Sequence, residues 1–592
     1  MHLCAALLIV TLSPLVQQDA EPVLEVNMLR NGDFAIPIDP KGQPRGIPWW
    51  TQRGAPLRIQ SIEERPWLVT EKSGVAIQAV PAFAPLAGDL VVTGRHWGRG
   101  VITIIDGQGR HASLVHGQAG ELTEFEWSGA EITAELGAAP MPRLVLELKA
   151  AEGGVSAWTD LEVRVPLPCP DEEALRAEVV ERLHEVLDPW IERGLDRFGE
   201  RETGFVAAYF DAVTGERITT HSAGYHPLGG LLLDVAELEP VPTWQAARDG
   251  YLEALLNLGL HPETGLPCMW DPIADKILDQ RFVNVHAALE FLINTSERGP
   301  EEYRERARLA AIKLADTVIE RGVLPDGNVA PLYRPADGQS SNEARPIRRL
   351  DVPAQLTRIG ALEGDPRHVE VARIAVATIF YTHYWPGSWD RIDPAFDDYF
   401  GHYAARAVTM LEDYPDEPLF RRVVDGGFAH LGPLWRKALR FGGSMAADQV
   451  RCWETLIDYS AIQPALREPL DELLEEAIHS HLKGEQYGNG AWGDVTYKGF
   501  QPKVDLQVGD FPGAPANLLR GLALVYESGM GPDDDETRAF FTAVLRSTVT
   551  AYRRPFGYLL TMREIDGANN AGGSLRIAPA LALMLEKLSA PR

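Results

Sequence analysis

The first part of the chain has the hydrophobic pattern of β-strands. From about residue 24 to 167, apolar and polar residues alternate in short runs such as DLVVTGR (89–95) and RLVLELKA (143–150), with Gly, Pro and Asp between the runs. Alternation with a period of two predicts strands that are buried on one face, and several short strands at this spacing are typical of a sandwich. We therefore expect an antiparallel, jelly-roll-like β-sandwich over 24–167.

From residue 171 to 590 the apolar positions recur at helical spacing. Examples are DEEALRAEVVERLHEVL (171–187) and PEEYRERARLAAIKLADTVIERG (300–322). The pattern predicts roughly a dozen helices, joined by loops rich in Gly and Pro.

A weak internal repeat organises the helical part. Two segments begin with Thr-Gly and read as short hairpins, one from Thr203 and one from Thr264. Each is followed by a helix that starts with a histidine, His226 or His286, at offsets of 226 − 203 = 23 and 286 − 264 = 22 residues. Repeated hairpin–helix–helix units of about 60 residues predict a ring of helical hairpins.

The net charge and the N-terminal segment indicate which binding partners and which cellular location to expect for the protein. The net charge of −28, without basic clusters, argues against nucleic acid as a partner. Residues 1–20 contain an apolar run and a cleavage position after Ala20, which predicts a signal peptide and a secreted or periplasmic protein. No later segment has the ~18 apolar residues of a membrane span. The oligomeric state stays open.

The β-module carries a first resemblance. The segments NMLRNGDFAIPIDPKGQPRGIPWW (27–50) and AWTDLEVRV (157–165) resemble the edge strands of galactose-binding-like carbohydrate-binding modules. The resemblance implies a carbohydrate-binding role and a structural calcium, for which Asp33 and Asp160 are the candidate ligands. Ala35 stands where that family often has Glu.

The helical part, over 171–590, resembles the (α/α) toroids of glycoside hydrolases and polysaccharide lyases. This resemblance implies an (α/α)6-type toroid that acts on a poly- or oligosaccharide, with no cofactor besides the calcium. Together the two parts resemble a secreted carbohydrate-active enzyme. Many toroid lyases carry a large β-domain after the toroid, whereas this chain ends with the helix APALALMLEKL.

Candidate catalytic residues lie where inner helices of such a ring would begin. The segment DPAFDDYFGHYAARA (393–407) places Asp398 and His402 one helical turn apart on one face. Helix capping by the aspartates is the alternative interpretation. The candidate catalytic residues are Asp397, Asp398, Tyr399, His402, His226, His286 and Asp494.

Aromatic and polar residues near these positions are candidates for sugar contacts, because aromatic rings offer apolar faces with a polar edge. They fall beside the two histidines, in 381–394, and in the loop-like segment 485–519. The candidate substrate-binding residues are Tyr225, Asn284, Trp385, Trp389, Trp492, Tyr497, Lys503 and Asp510.

Three functions remain open from the sequence. Hydrolysis of glycosidic bonds needs one carboxyl as acid and one carboxylate as base or nucleophile, drawn from Asp397 or Asp398 and Asp494 or Asp510. A lyase would remove a proton beside a uronate carboxylate with a tyrosine or histidine base, such as Tyr399, His286 or His226. A non-catalytic glycan-binding protein of the envelope is the third.

Overall fold

A computed structural model of the chain provides the structure. It describes residues 21–35, 47, 50–81, 90–107, 109–136, 144–151, 154–206, 222–223, 226–341, 350–383, 406–425, 451–484, 513–552, 562–565, 568–570 and 573–589.

Two antiparallel sheets are built from the alternating part of the sequence. A six-stranded sheet has the order β3-β4-β11-β6-β9, with β1 paired to β11, and a five-stranded sheet has the order β2-β5-β10-β7-β8. The strands are β1 Val23–Asn27, β2 Thr51–Arg53, β3 Arg58–Ile62, β4 Arg65–Glu71, β5 Val75–Val80, β6 Val91–Gly98, β7 Gly100–Ile105, β8 His111–His116, β9 Leu122–Ser128, β10 Leu144–Ala150 and β11 Val155–Pro168.

Alternate side chains of these strands form the core between the sheets. In β6, every second residue is buried, as the period-two pattern predicts. Trp127 and Trp158 are fully buried. Trp50 is also a core residue, 4% exposed, and its Nε1 donates a hydrogen bond to the carbonyl of Asn31 at 3.2 Å.

The helical part follows the sandwich. After a short helix in the sandwich, α1 Gly129–Leu136, fourteen helices are recognisable among the described residues. They are α2 Glu172–Gly194, α3 His226–Leu238, α4 Pro242–Leu258, α5 His286–Arg298, α6 Glu301–Gly322, α7 Asp351–Glu363, α8 Pro366–His383, α9 (406–413), α10 (418–425), α11 Arg451–Ile462, α12 Arg467–Gly484, α13 Gly513–Ser528, α14 Asp534–Tyr552 and α15 Gly573–Ser589.

The fourteen helices alternate between an inner and an outer ring. Helix α3 contacts α5 and α15, α5 contacts α7, and α13 contacts α11 and α15, which makes the odd-numbered helices neighbours. Outer helices α2, α4, α6 and α8 contact one another in the same order. Within the described residues these contacts form the inner and outer rings of an (α/α) toroid, as the sequence predicted. None of the helices in the described parts of the chain is long and apolar enough to cross a membrane.

Long and short connections lie at opposite ends of this ring. Each inner helix is followed by its outer helix after a few residues, such as 239–241 after α3 and 299–300 after α5. The connections from an outer to the next inner helix are long, such as 259–285 before α5 and 323–350 before α7. The end of the ring where the inner helices begin, here called the N-terminal rim, therefore receives these long connections.

Small sheets on the N-terminal rim show the repeat. β12 (Ser222–Ala223) pairs with the hairpin of β13 (Met269–Asp271) and β14 (Lys276–Leu278). β15 (Val283–Asn284) pairs with the hairpin of β16 (Leu332–Arg334) and β17 (Gln339–Ser341). The hairpin predicted after Thr264 is present, and a third unit, which the sequence interpretation missed, follows it. A further two-stranded sheet joins β18 Met562–Ile565 to β19 Ala568–Asn570.

The sandwich packs directly on the outer helices. β1 and β11 contact α14, and one continuous hydrophobic cluster includes Trp158 of β11 and Phe541 of α14. At the edge of this contact, Arg546 forms salt bridges with Glu21 and with Glu178, each at 2.7 Å. The shared core fixes the sandwich to the side of the toroid.

Candidate functional site

Three consecutive inner helices begin with an ionisable residue. The first residues of α3, α5 and α7 are His226, His286 and Asp351. The structure describes the side chains of the last two. Asp351 is only 3% exposed, and a buried carboxylate has to be paired or hydrogen-bonded. The residues that contact Asp351 therefore determine the chemistry that this part of the rim can support.

The carboxylate of Asp351 lies between a guanidinium and an imidazole. Arg406, the first helical residue of α9 among those described, donates from Nε to Asp351 Oδ1 at 2.9 Å. His286 Nε2 lies 3.9 Å from Asp351 Oδ2. The group Asp351, His286 and Arg406, here called the rim triad, joins the starts of α5 and α7 to the described part of α9.

The other ring nitrogen of His286 is held by the residue two positions earlier. Asn284 Oδ1 accepts the backbone N–H of His286 at 3.1 Å and lies 2.5 Å from His286 Nδ1. An oxygen acceptor at this place assigns the proton of the neutral ring to Nδ1, which leaves Nε2 as the basic nitrogen. His286 can then take a proton at Nε2, and the adjacent carboxylate stabilises the cation that forms.

Arg406 keeps its charge at the triad. Burial lowers the pKa of this guanidinium, but the negative charges of Asp351, Glu290 and Glu454 outweigh that effect and raise it above the ordinary value. A permanent cation beside a carboxylate stabilises the ionised form of that carboxylate. Asp351 is therefore suited to electrostatic stabilisation, and poorly suited to act as a proton donor.

Further into the ring, ion pairs link neighbouring inner helices. Glu454 of α11 accepts from Arg520 of α13 at 2.8 Å, and Glu297 of α5 pairs with Arg358 of α7 at 2.6 Å. Burial, as the largest cause, and the negative charges of Glu454, Glu412 and Glu527 raise the pKa of Asp458 to about 7. Asp458 is one helical turn beyond Glu454, so the ring contains a carboxyl that holds a proton near neutral pH.

Most of the predicted site residues lie outside the described part of the chain. His286 and Asn284 are adjacent and bonded, as reported above. His226 is the first residue of α3, but its side chain is not among those that the structure describes. The candidates outside the described residues are Tyr225, Trp385, Trp389, Asp397, Asp398, Tyr399, His402, Trp492, Asp494, Tyr497, Lys503 and Asp510. In the sequence these segments lie between an outer helix and the next inner helix.

The two predicted calcium ligands, Asp33 and Asp160, bind other groups of the protein. Asp160 forms salt bridges with Arg65 at 3.0 Å and with Arg95 at 3.7 Å. Asp33 accepts the backbone N–H of Ala35 at 3.1 Å. Two guanidinium groups beside one carboxylate disfavour a cation there, so this geometry does not support the predicted calcium. The described residues include no group of three or more His, Cys, Asp or Glu side chains arranged for a metal ion.

Sequence reasoning missed Asp351, Arg406 and Asp458. Arg406 belongs to the segment 393–407 that was singled out, but an arginine inside a helical pattern gives no signal of its own. Asp351 is the third member of the helix-start series, and the hairpin LYRPADGQSS (332–341) before it was the available signal. No local pattern marks Asp458.

Comparison with known proteins gives only distant structural likenesses. No protein-family model matches the chain, and no curated protein matches it. An alpha-1,2-mannosidase from Trichoderma reesei is 13% identical, with a TM-score of 0.45, over 70% of this chain and 93% of that one. A sugar epimerase from a ruminal bacterium is 11% identical, with a TM-score of 0.44, over 70% of this chain and 98% of that one.

A third likeness is of the same kind. Cellobiose 2-epimerase from Spirochaeta thermophila is 13% identical, with a TM-score of 0.42, over 70% of this chain and 97% of that one. These scores are too low to assign a fold or an activity to the chain, so its function has to be argued from its own residues.

Proposed function

We propose that this chain is a carbohydrate-active enzyme that cleaves glycosidic bonds at the N-terminal rim of its toroid. The observation that carries the proposal is the rim triad: a buried carboxylate held between a guanidinium and an imidazole, on three consecutive inner helices. Such a group combines a proton-transfer residue with fixed charge, the two contributions that acid–base catalysis needs. The connections before α5 and α7 reach the same end of the ring.

Hydrolysis is the first candidate mechanism. It requires a protonated carboxyl and an ionised carboxylate, and environments that push two pKa values apart identify such a pair. Inside the ring, Asp458 has its pKa raised to about 7, while Asp351 is paired with Arg406. Asp397, Asp398, Asp494 and Asp510 remain candidates for the same two roles.

Elimination from a uronate is the second candidate, and the geometry of His286 favours it. Asn284 holds Nδ1 of the ring, so Nε2, which lies 3.9 Å from Asp351 Oδ2, is the nitrogen that would take the proton beside the substrate carboxylate. Arg406 then supplies positive charge close to where negative charge develops on the substrate. The fixed tautomer serves this reaction directly, whereas hydrolysis does not depend on it.

One assay tests the proposal and separates the mechanisms. The full chain is incubated with neutral and with uronate polysaccharides while reducing ends and ultraviolet absorbance are followed. Both mechanisms release reducing ends, but only elimination leaves an unsaturated product that absorbs. Failure to release reducing ends from a broad panel of both classes would count against the enzyme and favour the glycan-binding alternative.

The matched control uses a second His–Asp pair of this chain. His184 Nδ1 lies 2.9 Å from Asp188 Oδ2 on the outer helix α2. We expect His286→Asn to lower kcat/KM by about 10²–10⁴-fold and His184→Asn to leave it nearly unchanged. Equal activity of the two variants would remove His286 from the mechanism.

We also propose that the protein is exported after cleavage behind Ala20. In support, residues 1–20 contain an apolar run that is followed by a cleavage position after Ala20. N-terminal sequencing of protein recovered from the periplasm or medium of an expressing cell tests this proposal. An intact Met1 on the recovered protein would contradict it.

A further inference from the structure

A groove of about 760 Å³ lies at one end of the β-sandwich and is lined by sandwich residues alone. It is formed where three connections meet: the β6–β7 turn, the β8–β9 loop and the β10–β11 turn. Binding sites for small ligands typically measure about 300–1,000 Å³. The residues that line it are Trp97, Arg99, Val101, Val115, Ala119, Gly120, Lys149, Ala150, Ala151, Gly154 and Val155.

One wall of the groove is a row of side chains on the outer face of the five-stranded sheet. Val101 pairs with Lys149 on one side and with Val115 on the other, so these three side chains are direct neighbours across β10, β7 and β8. Val115 is 53% exposed. An exposed apolar surface beside a lysine stem can contact the apolar face of a ligand while the ammonium contacts its polar edge.

The other wall contains an aromatic ring. Trp97 is half-buried, packs against the small cluster of Trp67, Val69 and Ala157, and pairs across the strands with Leu122, which is 38% exposed. The indole is therefore held in place by buried residues of the sandwich. A fixed aromatic face is the surface that a sugar ring contacts through its C–H groups, combining apolar area with a polar tip.

The groove has two cationic side chains that form no ion pair within the described part of the chain. Arg99 and Lys149 are exposed, and neither side chain forms a hydrogen bond or salt bridge with another described residue. The chain as a whole carries a net charge of −28. Two such cations beside an aromatic ring are thus a local exception in an acidic protein, and they favour an anionic ligand.

We propose that this groove binds an acidic saccharide, with Trp97 under a sugar ring and with Arg99 and Lys149 on its carboxylates. A peptide added as a strand fits less well, because Trp97, Val101 and Lys149 lie on interior strands whose backbones are already paired on both sides. The inference is independent of catalysis at the toroid, since it concerns a separate surface and a binding event.

Isothermal titration of the full-length His286→Asn variant tests the proposal, because that variant limits turnover of the probe. The probes are a defined oligogalacturonate and its fully methyl-esterified form, which keeps the sugars and removes the charges. We expect the acid to bind at least about tenfold more tightly than the ester. Equal affinity for both, or no binding of the acid, would overturn the proposal.

Substitutions locate the binding and exclude non-specific attraction. Arg99→Gln combined with Lys149→Gln should weaken binding about tenfold. The control is Arg164→Gln, an exposed arginine nine positions after Val155 on β11 (164 − 155 = 9), about 30 Å along the strand. Equal weakening by the control, unchanged binding by the double variant, or equally tight binding of polyglutamate would each contradict a saccharide site in the groove.

Discussion

Asp351 shows how one buried residue depends on residues distant in the chain. Its partner Arg406 is 55 positions later, and the contact exists because α7 and α9 are neighbours in the inner ring. The sequence indicated that inner-helix starts matter, and it marked the positions of His226 and His286. It could not reveal the pairing of Asp351 with Arg406, because that pairing is set by the ring and not by local spacing.

At this residue we predict that Asp351→Asn destabilises the fold as well as reducing activity. The amide would leave the Arg406 guanidinium without its ionic partner in a mostly buried place, at a cost of roughly 3 kcal/mol in the free energy of unfolding. Urea denaturation measures the loss. Glu370→Gln, which removes an exposed partner of Arg373, is the control and should change stability little. Equal effects of the two would contradict the buried ion pair.

The raised pKa of Asp458 predicts that the stability of the protein depends on pH. Its pKa is raised to about 7 from 3.8, so between about pH 4 and 7 the folded state binds a proton that the unfolded state has lost. The contribution of this group to the free energy of unfolding is therefore largest below about pH 4. It falls as the pH rises through 7, by at most about 4 kcal/mol. We expect Asp458→Asn to flatten this fall and to be more stable than wild type at pH 7.5.

The measurement for Asp458 is chemical denaturation at pH 5 and at pH 7.5. Glu468→Gln, which changes an exposed acid at the start of α12, serves as the control and should keep the wild-type difference between the two pH values. If Asp458→Asn keeps that difference too, the carboxyl is already ionised at neutral pH and cannot be the acid of a hydrolase.

At the scale of elements, the hairpin–helix–helix unit was predictable because its spacing is visible in the sequence. The third unit was missed because its helix begins with Asp351 instead of histidine, and because its turn has Asp326 and Gly327 where the earlier unit has Thr264 and Gly265. The backbone is nevertheless alike: isolated bridges join Leu195 to Val206, Leu260 to Pro267, and Val323 to Val329. Backbone geometry is repeated more faithfully than residue type.

We predict that the turn of the third unit needs Gly327 for two reasons. Its φ is +85°, and a Cβ would lie 2.8 Å from Ile374 Cγ2 and 2.9 Å from Thr378 Oγ1 of α8. Gly364 has φ +66° with open space around it, so Gly364→Ala isolates the backbone term, about 1 kcal/mol. Gly327→Ala should cost about 1–3 kcal/mol more, because of the added clash. Equal losses in thermal or urea unfolding would show that α8 does not confine this turn.

At the scale of the whole molecule, the alternating and helical halves were predictable because periods of 2 and 3.6 differ along the sequence. The closure of the ring was not, since the contacts of α15 with α2 and α3 join parts of the chain that are far apart in the sequence. What matters for function is that the two ends of the ring differ. Short connections at one end and long ones at the other leave one rim with enough chain to build a cleft, and the rim triad lies there.

The central claim is that carbohydrate is processed at the N-terminal rim. A crystal structure of the full-length His286→Asn variant with a bound oligosaccharide, chosen from the polysaccharides that the assay identifies, tests it most directly. We predict a sugar ring within hydrogen-bonding distance of Arg406 or of the substituted side chain at position 286. Sugar bound only at the opposite end of the ring, or only in the groove of the sandwich, would contradict the claim.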